Sequence, residues 1–159
     1  RSTDGLPEKG GSMGRSGNRT PVQWESGVPS LGFSAAPKKH LYLPVDPARD
    51  APTVSGQEKQ KDSLLNHTRK LLALRKKHSA LGNDGAFKPI YAEPGRYPFV
   101  YERSDATGRF AVVVNPGEPD RTIELPALQG AKLISGEGVT LVGKRLVTQG
   151  VSFAIFKLK

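Results

Sequence analysis

The sequence predicts a mainly β chain that ends in an antiparallel sandwich, set behind one amphipathic helix and a long irregular amino-terminal stretch. Three observations carry this. After Asn83-Asp84-Gly85 the apolar residues recur with a period of two. In DSLLNHTRKLLALRKKHSA, leucines fall at helical spacing. The first sixty residues hold much of the chain's 18 Gly and 13 Pro and have no period at all.

Residues 1–56 read as a long loop, with turn signals at Asp4-Gly5, Gly10-Gly11, Gly14 and Gly17. No GxxxxGK[ST] run occurs and no strand precedes the glycines, so they are not a phosphate cradle. Pro21 pushes Thr20 into extended backbone, and Trp24, the only tryptophan, follows as an aromatic anchor expected simply to pack. Residues 38–56 read as an irregular crossing punctuated by prolines.

The helix is expected from about Asp62 to Ala80. Leu64, Leu71, Leu74 and Leu81 form its stripe, widened by Leu65, Thr68 and Leu72. Asp62 or Ser63 can cap the first amides. Arg75, Lys76 and Lys77 suit the negative end of the helix dipole, and Gly82 is the expected stop. Such a stripe needs a sheet to lie on. Nothing upstream in this sequence reads as one, so the chain is expected to be the tail of something larger.

Eight strands are expected at 87–92, 98–104, 109–115, 121–126, 131–135, 139–142, 144–148 and 151–158. Turn chemistry separates them at Glu93-Pro94-Gly95, 105–108, Pro116-Gly117, 136–138, Gly143 and Gly150. Short strands at this spacing build a sandwich. The expected inward set is Val112, Val114, Ile123, Leu125, Leu133, Leu141, Leu146, Val151, Phe153, Ile155 and Leu158. Each side chain buried contributes about 1.5–3 kcal/mol, together enough for a small independent core.

The formal net charge of +9 raises the question of nucleic acid. The basic residues are scattered from Lys9 to Lys159, without an arginine-rich run or aromatic-interleaved basic strands, which argues for a solvated surface. There is no cysteine, hence no disulfide framework and no thiolate metal site; that suits a reducing, cytoplasmic location. No apolar run is long enough to span a bilayer. His40, His67 and His78 stand without partners at ligand spacing, so no metal and no cofactor is expected. Asp4, Glu8, Glu25, Asp46 and Asp50 read as exposed loop carboxylates.

Four landmarks then occur in register: GRSGNRTPVQW, a GFS at 32–34, LYLPVDP at 41–47, and DSLLNHTRKLLALRKKHSAL. Together they resemble the end of the alpha-amylase family of glycoside hydrolases, in the branch of alpha-glucosidases, oligo-1,6-glucosidases and trehalose synthases. Val22 stands for the usual Met, Tyr42 for Trp, Asp46 for Asn, and His67-Thr68 where an aromatic is common.

The resemblance implies that residues 1–84 end a catalytic (β/α)₈ barrel whose remainder is absent from this chain. Residues 1–56 would be the eighth β→α loop, at the face where such barrels place their active sites. Residues 85–159 would be the family's carboxyl-terminal β domain, packed on the barrel through the last helix. The catalytic residues would be two carboxyl groups supplied by the missing strands, none of them in this chain. The family's substrate-contacting arginine falls on Arg15 or Arg19. The usual R-D-x-x-R-T-P pattern has Ser16 in place of Asp. Arg15 is favoured for sugar contact and Arg19 for holding the loop, with Gln23 and Trp24 as supports.

The expected partners are therefore an α-glucoside, reached through the parent enzyme, and the missing barrel portion, with neither nucleic acid nor membrane. The parent would be an enzyme, and this chain alone would not turn over substrate. Two other readings are open at this level. One is a non-catalytic barrel relative of the transporter accessory-subunit type. The other is a carbohydrate-binding β-sandwich module using Tyr91, Tyr97, Phe99 or Tyr101.

Overall fold

A computed structural model describes residues 21–159 except positions 44, 47 and 49. The chain forms two compact units, one running to Lys70 and one spanning Leu71–Lys159. The boundary lies inside a helix.

A short helix, α1 (Val54–Lys59), belongs to the first unit, and the main helix, α2 (Leu64–Lys77), runs across the boundary. α1 was not expected, because six residues leave too little period to detect. α2 is shorter at both ends than the expected 62–80. Ser63 rather than Asp62 is the residue that caps it, its hydroxyl accepting from the Asn66 amide at 3.3 Å. Gly82 does not stop it. α2 ends at Lys77, and a separate 3₁₀ turn over Ser79–Leu81 follows, closed by the Gly82 amide donating to the Ser79 carbonyl. Not one residue of α2 is buried, and Leu64 is 78% exposed. Of the leucine stripe, Leu64, Leu71 and Leu72 are exposed and Leu65 and Leu74 are half-buried.

The second unit is an antiparallel β domain of six strands: β1 (Ala86–Tyr91), β2 (Phe99–Asp105), β3 (Gly108–Asn115), β4 (Arg121–Glu124), β5 (Lys132–Val142) and β6 (Arg145–Lys157). The hydrogen-bonded order is β1-β2-β3-β6-β4, with β5 on β6 as well. β3 pairs with residues 152–157 of β6 and β4 with 145–148, so they follow one another along one edge of β6 while β5 runs along the other.

The eight expected strands become six because two supposed turns are irregularities within continuous strands. At 136–138, Gly136 (φ +151°) and Gly138 (φ +68°) accompany slips in the β5–β6 register. At Gly150 the chain bends with Val151 at φ +50° and carries on as β6. Gly143 is a true turn: with φ +61° it opens a two-residue loop between Val142 and Arg145, the geometry for which glycine is selected.

The bends gather residues from both ends of the long strands into one core. Val100, Ala111, Val113, Ala154 and Phe156 pack with Leu125, Leu128, Leu146 and Leu158. Leu125, Leu146 and Leu158 are buried as expected. In β3 and in the second half of β6 the inward phase is the opposite of the expected one. Val112, Val114, Phe153 and Ile155 lie on the other face and are only half-buried, Leu133 is exposed, and Val151 is 72% exposed. Ile123 and Leu141 are half-buried at the core's margin.

That second face is also apolar. Tyr101, Val112 and Ile155 stand side by side across β2, β3 and β6. With Leu71, Leu74, Leu81, Arg75 and Arg103 they line a groove of about 500 Å³. Arg103 ties the 3₁₀ turn to β2 by donating to the carbonyls of Ala80 and Gly82. His78 packs its ring 4.8 Å from that of Phe110.

The β2–β3 hairpin is fastened by Asp105. Its Oδ1 accepts from the Thr107 amide at 2.7 Å and the Gly108 amide at 3.1 Å, while Oδ2 accepts from the Ser79 hydroxyl. These bonds, that from Ser79 first, favour the ionised carboxylate and push its pKa down to about 2 from 3.8. The folded-state value lies below the unfolded one. The stabilisation is therefore complete above about pH 4 and is lost as pH falls through 2. Acid titration followed by far-UV circular dichroism should show the β unit weakening across that window, and Asp105→Asn should flatten the dependence there. An unchanged acid limb in Asp105→Asn would refute the assignment.

Candidate functional site

The two arginines that the sequence nominates for sugar contact, Arg15 and Arg19, lie outside the described residues. What the structure does describe is the scaffold that follows them. Its design is a relay of backbone caps.

A helix begins with amides that have no partner of its own making. In α1 the Val54 amide donates to the Gln23 carbonyl and the Ser55 amide to the Trp24 carbonyl, both at 2.9 Å. The Gly56 amide donates to the Thr53 hydroxyl at 3.2 Å. The Gln-Trp step of the RTPVQW run is thus bonded to the start of α1 by its main chain. α1 is in turn bonded to α2 through Gln57. The Gln57 carboxamide oxygen accepts from the Leu65 amide at 3.0 Å, and its carbonyl accepts from the Ser63 hydroxyl at 2.6 Å. Asn66 donates to the carbonyls of Gln57 and Gln60 from the α2 side. A chain of hydrogen bonds therefore links the amino end of α2 to the loop at residues 23–24.

The other side of that loop is closed by a tight turn. The amides of Trp24 and Glu25 both donate to the Leu31 carbonyl, at 2.9 and 3.1 Å. Ser30, Leu31 and Gly32 have φ of +49°, +51° and +73° in succession. Two non-glycine residues in the left-handed region are costly and persist only when their surroundings impose them. A Cβ at Gly32 would also stand a tight 3.2 Å from Trp24 Cβ, which would have to give by a few tenths of an ångström.

Trp24 was expected simply to pack; instead it is 51% exposed, and Val22, Phe33 and Tyr42 are exposed too. Its described hydrogen bonds are made by its main chain, to Leu31 and Ser55. Gln23 keeps its Oε1 buried with no hydrogen-bond partner among the described residues. Of the loop carboxylates, Glu25 and Asp50 are exposed and Asp46 is half-buried. Asp46 Oδ1 accepts from the Ala48 amide at 2.9 Å, which makes it a turn former. Among the described residues no group of three His, Asp or Glu side chains could hold a metal ion. No helix among them is long and apolar enough to cross a membrane.

The cap relay could not be read from sequence, because backbone carbonyl acceptors have no residue signature. The Thr53-Val54-Ser55-Gly56 start of α1 was the one available signal, a capping threonine before a short run.

Comparison with known proteins places this scaffold. Residues 3–84 match the family model of the alpha-amylase catalytic domain. Trehalose synthase of Thermus thermophilus is 33% identical over 91% of this chain and 16% of its own length. A probable alpha-glucosidase of Rhizobium meliloti is 34% identical over 71% of this chain and 19% of its own. Among solved structures, isomaltulose synthase from Erwinia rhapontici NX5 superposes with a TM-score of 0.74 at 26% identity, covering 91% of this chain and 26% of that one. The chain spans less than a fifth of these curated relatives. The match through residue 84 takes in all four sequence landmarks and ends where the β unit's first strand begins: the chain belongs to the alpha-amylase family.

Proposed function

We propose that this chain is the carboxyl-terminal portion of a retaining glycoside hydrolase or transglucosidase acting on α-linked glucose oligosaccharides. Its part is to supply a section of the sugar-pocket wall and a stabilising β domain. The nucleophile and the general acid come from the upstream barrel, whose two carboxyl groups perform the double displacement. Arg15 donates hydrogen bonds to sugar hydroxyls, and Arg19 holds the loop. The caps from Gln23 and Trp24 to α1, and from α1 to α2, fix the end of that loop to the last helix of the barrel.

The observation that supports this most is the coincidence of landmarks: the RTPVQW, GFS and LPVDP runs and the helix occur in order within the matched residues 3–84. Relatives of the chain are named trehalose synthase and probable alpha-glucosidase.

The test is a chimera in which this chain replaces the matching stretch of the Thermus thermophilus trehalose synthase. The chimera should turn over an α-glucoside, while the chain by itself should show none above background. Within an active chimera Arg15→Ala should lower kcat/KM by about tenfold to a hundredfold, the usual worth of a charged hydrogen bond. Arg19→Ala should act chiefly on thermal stability. Clear turnover by the isolated chain, or full activity in Arg15→Ala, would sink the proposal.

A further inference from the structure

We infer that the β unit carries a pyranose-binding platform of its own, built from Tyr97, Phe99, Arg96 and Glu93 on the turn between β1 and β2. This goes beyond the proposed function and uses neither Arg15 nor Arg19.

The turn is rigid by construction. In Glu93-Pro94-Gly95-Arg96 the proline takes the second position and Gly95, at φ +70°, the third; the Arg96 amide donates to the Glu93 carbonyl at 3.1 Å. That is the arrangement in which Pro and Gly each meet the backbone angle required. Beyond it Pro98 is fully buried, so the segment is anchored on both sides. A site formed in advance does not spend binding energy on ordering itself.

Tyr97 is the flat surface. Its ring lies against Gly117, where an added Cβ would be 3.3 Å from Tyr97 Cδ2, yet the residue is 46% exposed. The Cδ2 edge of the ring is close to main chain, while nearly half of the residue remains accessible to a ligand. Phe99 extends the apolar surface. It sits 5.3 Å from Tyr101 and 6.4 Å from Phe87, which is itself 53% exposed. Tyr97 and Phe99 line a cavity of about 380 Å³ together with Glu93 and Arg96, the latter pair joined by an ion pair of 3.2 Å. Both charged side chains are largely open to solvent, 74% for Arg96 and 48% for Glu93.

An exposed aromatic face bordered by a carboxylate and a guanidinium is chemically two-sided. The aromatic accepts the apolar C–H face of a ring, and the ion pair supplies acceptors and donors at that ring's edge. A pyranose has both features, a C–H face and a rim of hydroxyls that each donate and accept. A purely apolar ligand would make no use of the ion pair, and a simple anion would meet Glu93 as well as Arg96. That the natural sugar is an α-linked glucose oligosaccharide rests on the proposed function; the stacking site rests on the geometry alone.

The test is titration of the full chain with maltose, isomaltose and trehalose, followed by calorimetry and by amide shifts in labelled protein. Saturable binding should move the amides of Arg96, Tyr97, Phe99 and Gly117. Tyr97→Ala should weaken it by about tenfold, whereas Tyr97→Phe, which keeps the face, should stay within about twofold of the unaltered chain. Arg96→Ala should also weaken it, and Arg15→Ala with Arg19→Ala should not. Retained circular dichroism in each variant separates lost binding from lost fold. The platform is overturned by the absence of saturable binding, or by binding that survives Tyr97→Ala. Binding abolished by the Arg15 and Arg19 changes alone would overturn it too, while favouring the pocket-wall role.

Discussion

Replacing Phe156 with alanine should destabilise the β unit by about 3–5 kcal/mol, whereas Phe153→Ala should cost less than half of that. The two residues are three apart on one strand and equally apolar, so composition gives no reason to rank them. Their surroundings do. Phe156 is 2% exposed and packs in the cluster with Val100, Ala111, Val113, Leu146 and Ala154. Truncating it removes its transfer energy and leaves a cavity whose walls are held by the pairing of β6 with both β3 and β5. Phe153 is on the opposite face, half-buried, next to Val114 across the ladder. Water already reaches part of it, and no closed cavity forms when it is cut back. Chemical denaturation of the two variants, monitored by far-UV circular dichroism, gives the comparison directly. Equal losses, or a larger loss in Phe153→Ala, would mean that the core lies on the other face.

The same pair shows what the sequence could and could not disclose. Strand positions were legible because turn residues bracket them, and all six observed strands overlap expected ones. The phase within them was not. β3 reads Phe-Ala-Val-Val-Val, apolar at both parities, because both of its faces meet apolar side chains: one packs in the core, and the other lines the groove with Leu71, Leu74 and Leu81. In β6 the error has a different source. Leu146 and Thr148 are buried, and so are Ser152, Ala154, Phe156 and Leu158; the even positions keep one phase along the whole strand. Treating Gly150 as a turn allowed the phase to restart on the bulkier Val151, Phe153 and Ile155. Small side chains, Ala111, Ala154 and Ser152, occupy inward positions that size alone would not nominate. The candidate site was legible to a similar depth. Its landmark residues are distinctive, but the bonds that hold them run through the carbonyls of Gln23 and Trp24, which any residue could provide.

Gly150 is the position where the difference between a turn and a pinned strand becomes a measurable energy, since the backbone of another segment stands where its side chain would be. Gly150→Ala should destabilise the β unit by about 3 kcal/mol or somewhat more, as overpacking against backbone does. A Cβ at this position would lie 1.8 Å from the Glu118 carbonyl oxygen and 2.7 Å from its carbon, and neither is the movable end of a side chain. The approach is fixed by the bonds around it: the Gly150 amide donates to Asp120 Oδ1 and the Val151 amide to the Gly117 carbonyl, both at 2.9 Å. Buried Asn115 closes the other side, donating to the Gln149 carbonyl at 2.7 Å and to Thr148 Oγ1 at 3.2 Å. Relieving the clash would break several of these bonds at once, and buried groups left without partners cost about 1–3 kcal/mol each. Gly143→Ala is the control. Unlike Gly150 it sits at positive φ, but no atom lies within 4 Å of the added carbon, so only the left-handed backbone cost of about 1–2 kcal/mol applies. Thermal melts should therefore rank Gly150→Ala well below Gly143→Ala. Similar melting points for the two would show that the 117–120 segment gives way freely, and that β6 is not pinned at its bend.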